Sequence, residues 1–322
     1  MPARLRRAYP IPMQVLFMGN DSFGIPSLQA LLENGFKISA VVTSPDKPQG
    51  RGLKLAPMPV KRFAEERNLP LLTPADLKST EFSGQLKKLE PDAIVVIAFT
   101  ILPEEIFSLP PLGTINLHPS LLPKYRGAAP VQWAIINGEE ETGITTFLIE
   151  MKVDAGKIIM QRKARILPDE TYGELSERLS KIGAEVLVES LNLIQQPDFK
   201  PLPQDNSKSS RAPKIKKEDC RINWSQPSVK IKNLVRGLSP EPGAWTTLKN
   251  KTIKIFKTLI ADEKSNGGSP GEIISASDKI GLTVQAGRGS IKLISLQLEG
   301  KKIISGEEFV RGYKIKTGER FI

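Results

Sequence analysis

At 322 residues the chain is too long for one domain of ordinary size and comfortable for two. It is 39% hydrophobic and 25% charged, with no run near the ~18 apolar residues of a membrane span, so a membrane-spanning helix is excluded. One histidine, His118, and one cysteine, Cys220, rule out an internal disulfide, zinc sites built from cysteines and histidines, and an HExxH helix. No metal is expected, and the missing disulfide framework suits a reducing cytoplasm.

The net charge of +11 is unevenly placed. Residues 1–200 carry 23 Lys/Arg against 23 Asp/Glu, whereas residues 201–322 carry 23 against 12. The whole excess therefore lies in the last third. Such an asymmetry suits an anionic polymer as partner, because neutralising phosphates with Lys/Arg is the sequence-independent part of nucleic-acid binding. A lysine-rich solvated surface would carry the same charge.

Residues 1–12, MPARLRRAYPIP, have three arginines but are not followed by an apolar h-region of about 7 or more residues, so they read as an extension rather than a secretory signal. Gln14–Met18 reads as a buried strand. Gly19 to Gly24 reads as a turn into a helix ending at Asn34–Gly35. That turn has neither the Lys-Ser/Thr of a phosphate loop nor GxGxxG spacing, so its glycines are expected to serve turn geometry. Ile38–Val42, Ala93–Ala98 and Thr114–His118 are further apolar, β-branched strands, as in a parallel sheet buried on both faces. Strands alternating with helices predict an α/β fold with a doubly wound, mainly parallel sheet. Thr171 with Glu174 forms a capping-box signature. Leu175, Leu179, Ile182 and Val186 continue it as an amphipathic helix. The Pro/Ser-rich stretch 197–210 is expected to link a domain over 13–196 to a second over 211–322. There Thr252–Leu259, Glu272–Ala276, Gly281–Gln285 and Ser290–Leu296 read as the strands of a small basic β-barrel of the OB kind.

The lone histidine lies in INLHPSLLP. If Thr114–His118 is a strand, Asn116 and His118 project from one face near its carboxyl end, where ligands of such sheets collect. An Asn amide can donate to a developing oxyanion, and an imidazole exchanges a proton near neutral pH. Asp154, in MKVDAGK between two apolar stretches, is a candidate to orient that imidazole. Read alone, the same residues would serve equally as a buried strand cap and an ordinary turn.

Read together, INLHPSLLPKYRGAAPVQWAIINGEEETGIT and VDAGKII resemble the folate-dependent formyltransferase family. SPDKPQGRGLKLAPMPVK, KIKKEDCRINWS and VRGLSPEPGAW are similar to its members that act on initiator methionyl-tRNA. The resemblance runs from about Met13 to the C-terminus. It implies a Rossmann-like domain followed by an OB-like barrel, with 10-formyltetrahydrofolate as co-substrate and initiator methionyl-tRNA as partner. It further implies catalytic roles for Asn116, His118 and Asp154, and folate contacts at Ser120, Leu121, Leu122, Pro123, Phe99 and Ile101. The loop with Lys47, Arg51 and Lys54 is implied to touch the tRNA. Two departures stand out: Ala98–Pro103 is one residue shorter than the family's AYGxILP, and Asp-Ala-Gly-Lys replaces the commoner Asp-Thr-Gly-Asp. A soluble, cytoplasmic monomer is expected. The competing readings are a formyltransferase acting on a nucleotide-linked amino sugar, and a non-catalytic RNA-binding protein with a degenerate folate domain.

Overall fold

A computed structural model of the chain describes residues 12–49 and 54–322. They form two compact units. The first holds the described residues up to Arg126, with Gly143–Ala164 and Glu177–Ser210. The second holds Gly127–Thr142, Arg165–Ser176 and Arg211–Ile322.

The elements of the first half of the chain are β1 (Gln14–Gly19), α1 (Ile25–Glu33), β2 (Lys37–Val42), β3 (Lys47–Gln49), β4 (Lys54–Ala56), α2 (Pro59–Glu66), β5 (Leu71–Leu72), α3 (Thr80–Leu89), β6 (Ala93–Ile97), α4 (Glu104–Phe107), β7 (Thr114–His118), α5 (Pro130–Asn137), β8 (Glu141–Leu148) and β9 (Ile158–Arg165). A seven-stranded sheet runs in the order β5-β2-β1-β6-β7-β8-β9. Pairing is parallel from β5 through β7 and turns antiparallel between β7 and β8. β6, AIVVI, is buried at every position, as a strand covered on both faces must be. On one face Leu16, Met18, Ala40, Val42, Ile94 and Val96 pack against Phe82 and Leu86 of α3, whose first turn Ser79 caps by accepting the Phe82 N–H.

The first turn differs in detail from the sequence expectation. Gly24 has φ −81°, open to any residue, and its missing Cβ matters because Ile97 and the Phe17 ring pack close against it. Helix α6 (Tyr172–Ile194) begins at the Thr171–Glu174 box, with Leu175, Leu179 and Val186 buried.

In the second unit α5 packs against α7 (Ser228–Gly237). Trp133 Nε1 donates to the Pro213 carbonyl. The buried Arg236 guanidinium donates to the Leu167 and Glu170 carbonyls and to Asn233 Oδ1. These bonds explain why 127–142 and 165–176, expected within the first domain, cluster with the second unit. The rest is the expected basic β structure: β10 (Ala244–Leu248), β11 (Lys251–Asp262), β12 (Ile273–Ser277), β13 (Gly281–Gln285), β14 (Ser290–Leu298) and β15 (Ile303–Ser305), followed by α8 (Gly306–Tyr313). The antiparallel order is β10-β11-β14-β13-β12 with β15 on β14. The segment Gly318–Ile322 joins the two ends of that order. Ile322 exchanges backbone bonds with Thr247 of β10, while Gly318 and Glu319 bond Ile273 of β12.

Candidate active site

β7 delivers Asn116 and His118 to one face at its carboxyl end, in register with Phe147 and Thr145 of β8. His118 is 4% exposed. Its Nε2 lies 2.9 Å from the Tyr125 carbonyl oxygen. A carbonyl only accepts, so Nε2 carries a proton and Nδ1 is the nitrogen left to gain or lose one. Asp154 Oδ2 stands 3.8 Å from Nδ1, both side chains nearly enclosed. That spacing is too long for a direct hydrogen bond, and the contact becomes an ion pair only when the imidazole is protonated. Asn116 is half-buried, and among the described residues nothing hydrogen-bonds its amide. The three residues picked out as catalytic thus differ in state: His118 is anchored on one nitrogen and faces Asp154 on the other, while Asn116 keeps its donors.

Both partners of His118 sit in left-handed backbone, Tyr125 at φ 61° and Asp154 at φ 52°, a conformation that surrounding bonds must hold for residues other than glycine. Tyr125 N–H donates to Ser210 Oγ and Arg126 N–H to the Ser210 carbonyl, each at 2.9 Å. The Asp154 loop joins β8 to β9 and is closed by Leu148 N–H on the Lys157 carbonyl. At Gly156 a Cβ would overlap the Leu148 carbonyl, so only glycine fits two residues after the carboxylate.

The SLLP segment is strapped down from β8 and β9. Thr145 Oγ1 donates to the Ser120 carbonyl and accepts the Leu122 N–H, and Gln161 Nε2 bonds both the Leu122 carbonyl and Thr145 Oγ1. Ser120 is fully buried with its hydroxyl on the Lys124 carbonyl, and Leu122 is buried too. Leu121 and Pro123 are the half-exposed members. After β6, Ala98 turns left-handed at φ 48°. Phe99 packs inward on the core of β1, β2 and β6, whereas Ile101 stands 78% exposed.

The stretch expected as a linker packs on the first unit: Leu202 exchanges both backbone bonds with Ile158, and Gln204 bonds the Asp154 loop. Sequence reasoning missed Thr145, Gln161, Gln204 and Ser210, as well as the bonding roles of Tyr125 and Arg126. Thr145 and Gln161 carry a weak signal as polar residues within strands, whereas Gln204 carries none.

Lys47 and Lys54 lie on a short antiparallel pair, with Lys47 opposite Ala56 and Lys54 opposite Gln49. Arg51 falls outside the described residues. The segment leading into β3 is pinned: Asn20 Oδ1 accepts from the Thr43 hydroxyl and the Ser44 N–H, and Lys61 pairs with Asp46 at 2.6 Å.

Cys220 is buried in the core of the second unit with its thiol on the Lys216 carbonyl. Burial pushes its pKa up, which makes it a poor nucleophile. Trp224 stacks on Phe321 and donates to Thr246, and Trp245 donates to the Lys217 carbonyl, so both indoles serve packing.

Residues 13–191 match the family model described as formyl transferase, and residues 214–314 match formyl transferase, C-terminal domain. The chain belongs to this family. It is 45% identical to a methionyl-tRNA formyltransferase of Geobacter metallireducens, over 96% of this chain and 98% of that one. It is 45% identical to another of that name from Syntrophus aciditrophicus, over 95% and 98%. Among solved structures it resembles HypX from Aquifex aeolicus in complex with tetrahydrofolic acid. The TM-score is 0.65 at 20% identity, covering 93% of this chain and 48% of HypX, about half its length. The formyl transferase family therefore combines, in this chain, the expected Rossmann-like mainly parallel sheet with an OB-like antiparallel domain.

Proposed function

We propose that this protein transfers the formyl group of 10-formyltetrahydrofolate to the α-amine of methionine on initiator methionyl-tRNA, acting as a cytoplasmic monomer. The observation that carries this reading is His118 held between the Tyr125 carbonyl and Asp154 at the end of β7, in a chain so similar to enzymes of that name. The neutral α-amine, with a reference pKa of about 7.7–8.0, attacks the formyl carbon. A new C–N bond forms to the methionine nitrogen. Asn116, with its amide uncommitted, donates to the oxygen as negative charge develops there. The amine's surplus proton passes to His118 Nδ1, since Nε2 is already protonated against the carbonyl, and Asp154 stabilises the imidazolium. The oxyanion then collapses, the bond from the formyl carbon to the folate nitrogen breaks, and that nitrogen takes the proton from His118 Nδ1, which returns the imidazole to its starting state. The half-exposed Leu121 and Pro123 and the exposed Ile101 offer apolar surface to the folate, with Phe99, Leu122 and Ser120 shaping the walls behind them. Lys47, Arg51 and Lys54 contact the tRNA, and the cationic surplus of residues 201–322 supplies a general attraction for its backbone.

The decisive experiment offers the protein methionyl-tRNA beside a UDP-amino sugar with 10-formyltetrahydrofolate. Transfer to the tRNA is expected. Transfer to the sugar nucleotide alone, or to neither, overturns the reading.

A further inference from the structure

His118 has two partners, and a single side chain ties together the two loops that present them. Gln204 Nε2 donates to the Asp154 carbonyl at 3.0 Å and to the Gly156 carbonyl at 2.7 Å. Its Oε1 accepts from Arg126 Nε at 3.2 Å and Nη2 at 2.6 Å. The orientation of the amide follows from its neighbours, because carbonyls only accept and a guanidinium only donates. All four bonds of one amide are used. One end holds the left-handed turn that aims the Asp154 carboxylate; the other holds the residue next to Tyr125, whose carbonyl grips His118 Nε2. Arg126 is itself steadied by a second bond from Nη2 to Asn206 Oδ1 at 2.9 Å.

We infer that Gln204 is a positioning residue of the formyl-transfer reaction, clamping the Asp154 turn to the Tyr125–Arg126 turn so that Asp154 and the imidazole keep their mutual distance. The inference rests on the proposed roles of His118 and Asp154. Gln204 touches no reacting atom in this scheme. Loss of its donors lets the αL turn relax, and Asp154 Oδ2 then drifts from its 3.8 Å station opposite Nδ1.

The sharpest variant is Gln204→Glu. It keeps the length of the side chain and gives Arg126 a stronger acceptor, yet removes both bonds to the Asp154 loop and sets an oxygen against two carbonyls. In steady-state formyl transfer by the full chain, kcat should fall by ~10- to 100-fold, the loss expected for a displacement on the scale of an ångström. KM for either substrate should stay within about threefold, since no substrate contact changes. In an Asp154→Asn background the same substitution should cost less than about threefold, because two changes acting through one group are not additive. The inference is overturned by an unchanged kcat in Gln204→Glu, by a loss appearing only in KM, or by a full multiplicative loss in the double variant. If Asp154→Asn alone runs at the parent rate, the catalytic reading of Asp154 fails and the inference with it. A slow Asp154→Asn beside an unimpaired Gln204→Glu sinks the inference alone. Should the Glu variant fold poorly, Gln204→Met, uncharged and of similar length, is read by the same criteria.

Discussion

Tyr125 turns its backbone carbonyl onto His118 Nε2 at 2.9 Å, so the ring's tautomer is set by the main chain rather than by a side chain. This separates two consequences of replacing His118. An alanine removes the proton-handling nitrogen and also deletes a buried hydrogen bond, at a cost of about 0.5–1.5 kcal/mol. A glutamine keeps an amide N–H within reach of that carbonyl but cannot be protonated. His118→Gln is expected to melt near the parent temperature while its kcat falls by ~100- to 10,000-fold, the range of a lost acid–base group. A glutamine variant with parental kcat would show that no proton passes through this ring.

Arg51 and the cationic surplus of residues 201–322 make separable predictions. Arg51→Ala should raise KM for methionyl-tRNA and leave binding of the folate unchanged. Apparent tRNA affinity should fall with salt, each neutralised phosphate adding roughly −0.7 to −0.9 to the slope of log affinity against log salt. Titrations of tRNA and folate at several salt concentrations decide both points. Equal loss of both ligands in Arg51→Ala, or a flat salt response, contradicts the assignment.

Strand β7 could be read directly from the chain because Ile115 and Leu117 alternate with Asn116 and His118 in a run of fixed period. The capping box at Thr171 and Glu174 was equally legible, being a local pattern. Gln204 was not, since its bond to Asp154 spans 50 residues and nothing in a Pro/Ser-rich stretch marks one glutamine for such a contact. The reversal between β7 and β8 was hidden for a related reason: Ile144 and Phe147 announce burial, and burial carries no strand direction. Likewise the packing of α5 on α7 depends on partners about a hundred residues further along.

Glu174 supplies a pH signature for the start of α6. Its carboxylate accepts from the Thr171 N–H and hydroxyl, and these bonds hold its pKa below the ordinary glutamate value. A depressed folded-state pKa means the contribution is complete above the unfolded value of about 4.3 and is lost as pH falls through the lower folded value. Glu174→Ala should therefore destabilise by ~1 kcal/mol near neutrality, as loss of a capping interaction does. The gap to the parent should narrow in acid. Chemical denaturation at neutral and acid pH tests the sign; a gap that widens in acid refutes it.

The last five residues of the chain make the strongest structural prediction. Thr247 N–H meets the Ile322 carbonyl at 3.0 Å, Phe321 N–H meets the Gly271 carbonyl at 2.8 Å, and Ile273 N–H meets the Glu319 carbonyl at 2.8 Å. This one segment satisfies edge groups beside both β10 and β12, which lie at opposite ends of the sheet order. Phe321 is 1% exposed and stacks on Trp224 with ring centroids 5.5 Å apart. The same segment carries an ion pair, Glu319 with Lys249 at 2.8 Å, whose lysine is more than half exposed. Magnitudes separate the two contributions. Phe321→Ala should cost ~3–5 kcal/mol through the cavity it opens, whereas Lys249→Ala should cost no more than about 1 kcal/mol. Because Trp224 lies against Phe321, its fluorescence reports the change, and the emission should shift to the red in Phe321→Ala well below the parent's melting temperature. If the two variants melt together, the segment is held by its charge rather than by the ring, and the closure of the sheet does not depend on Phe321.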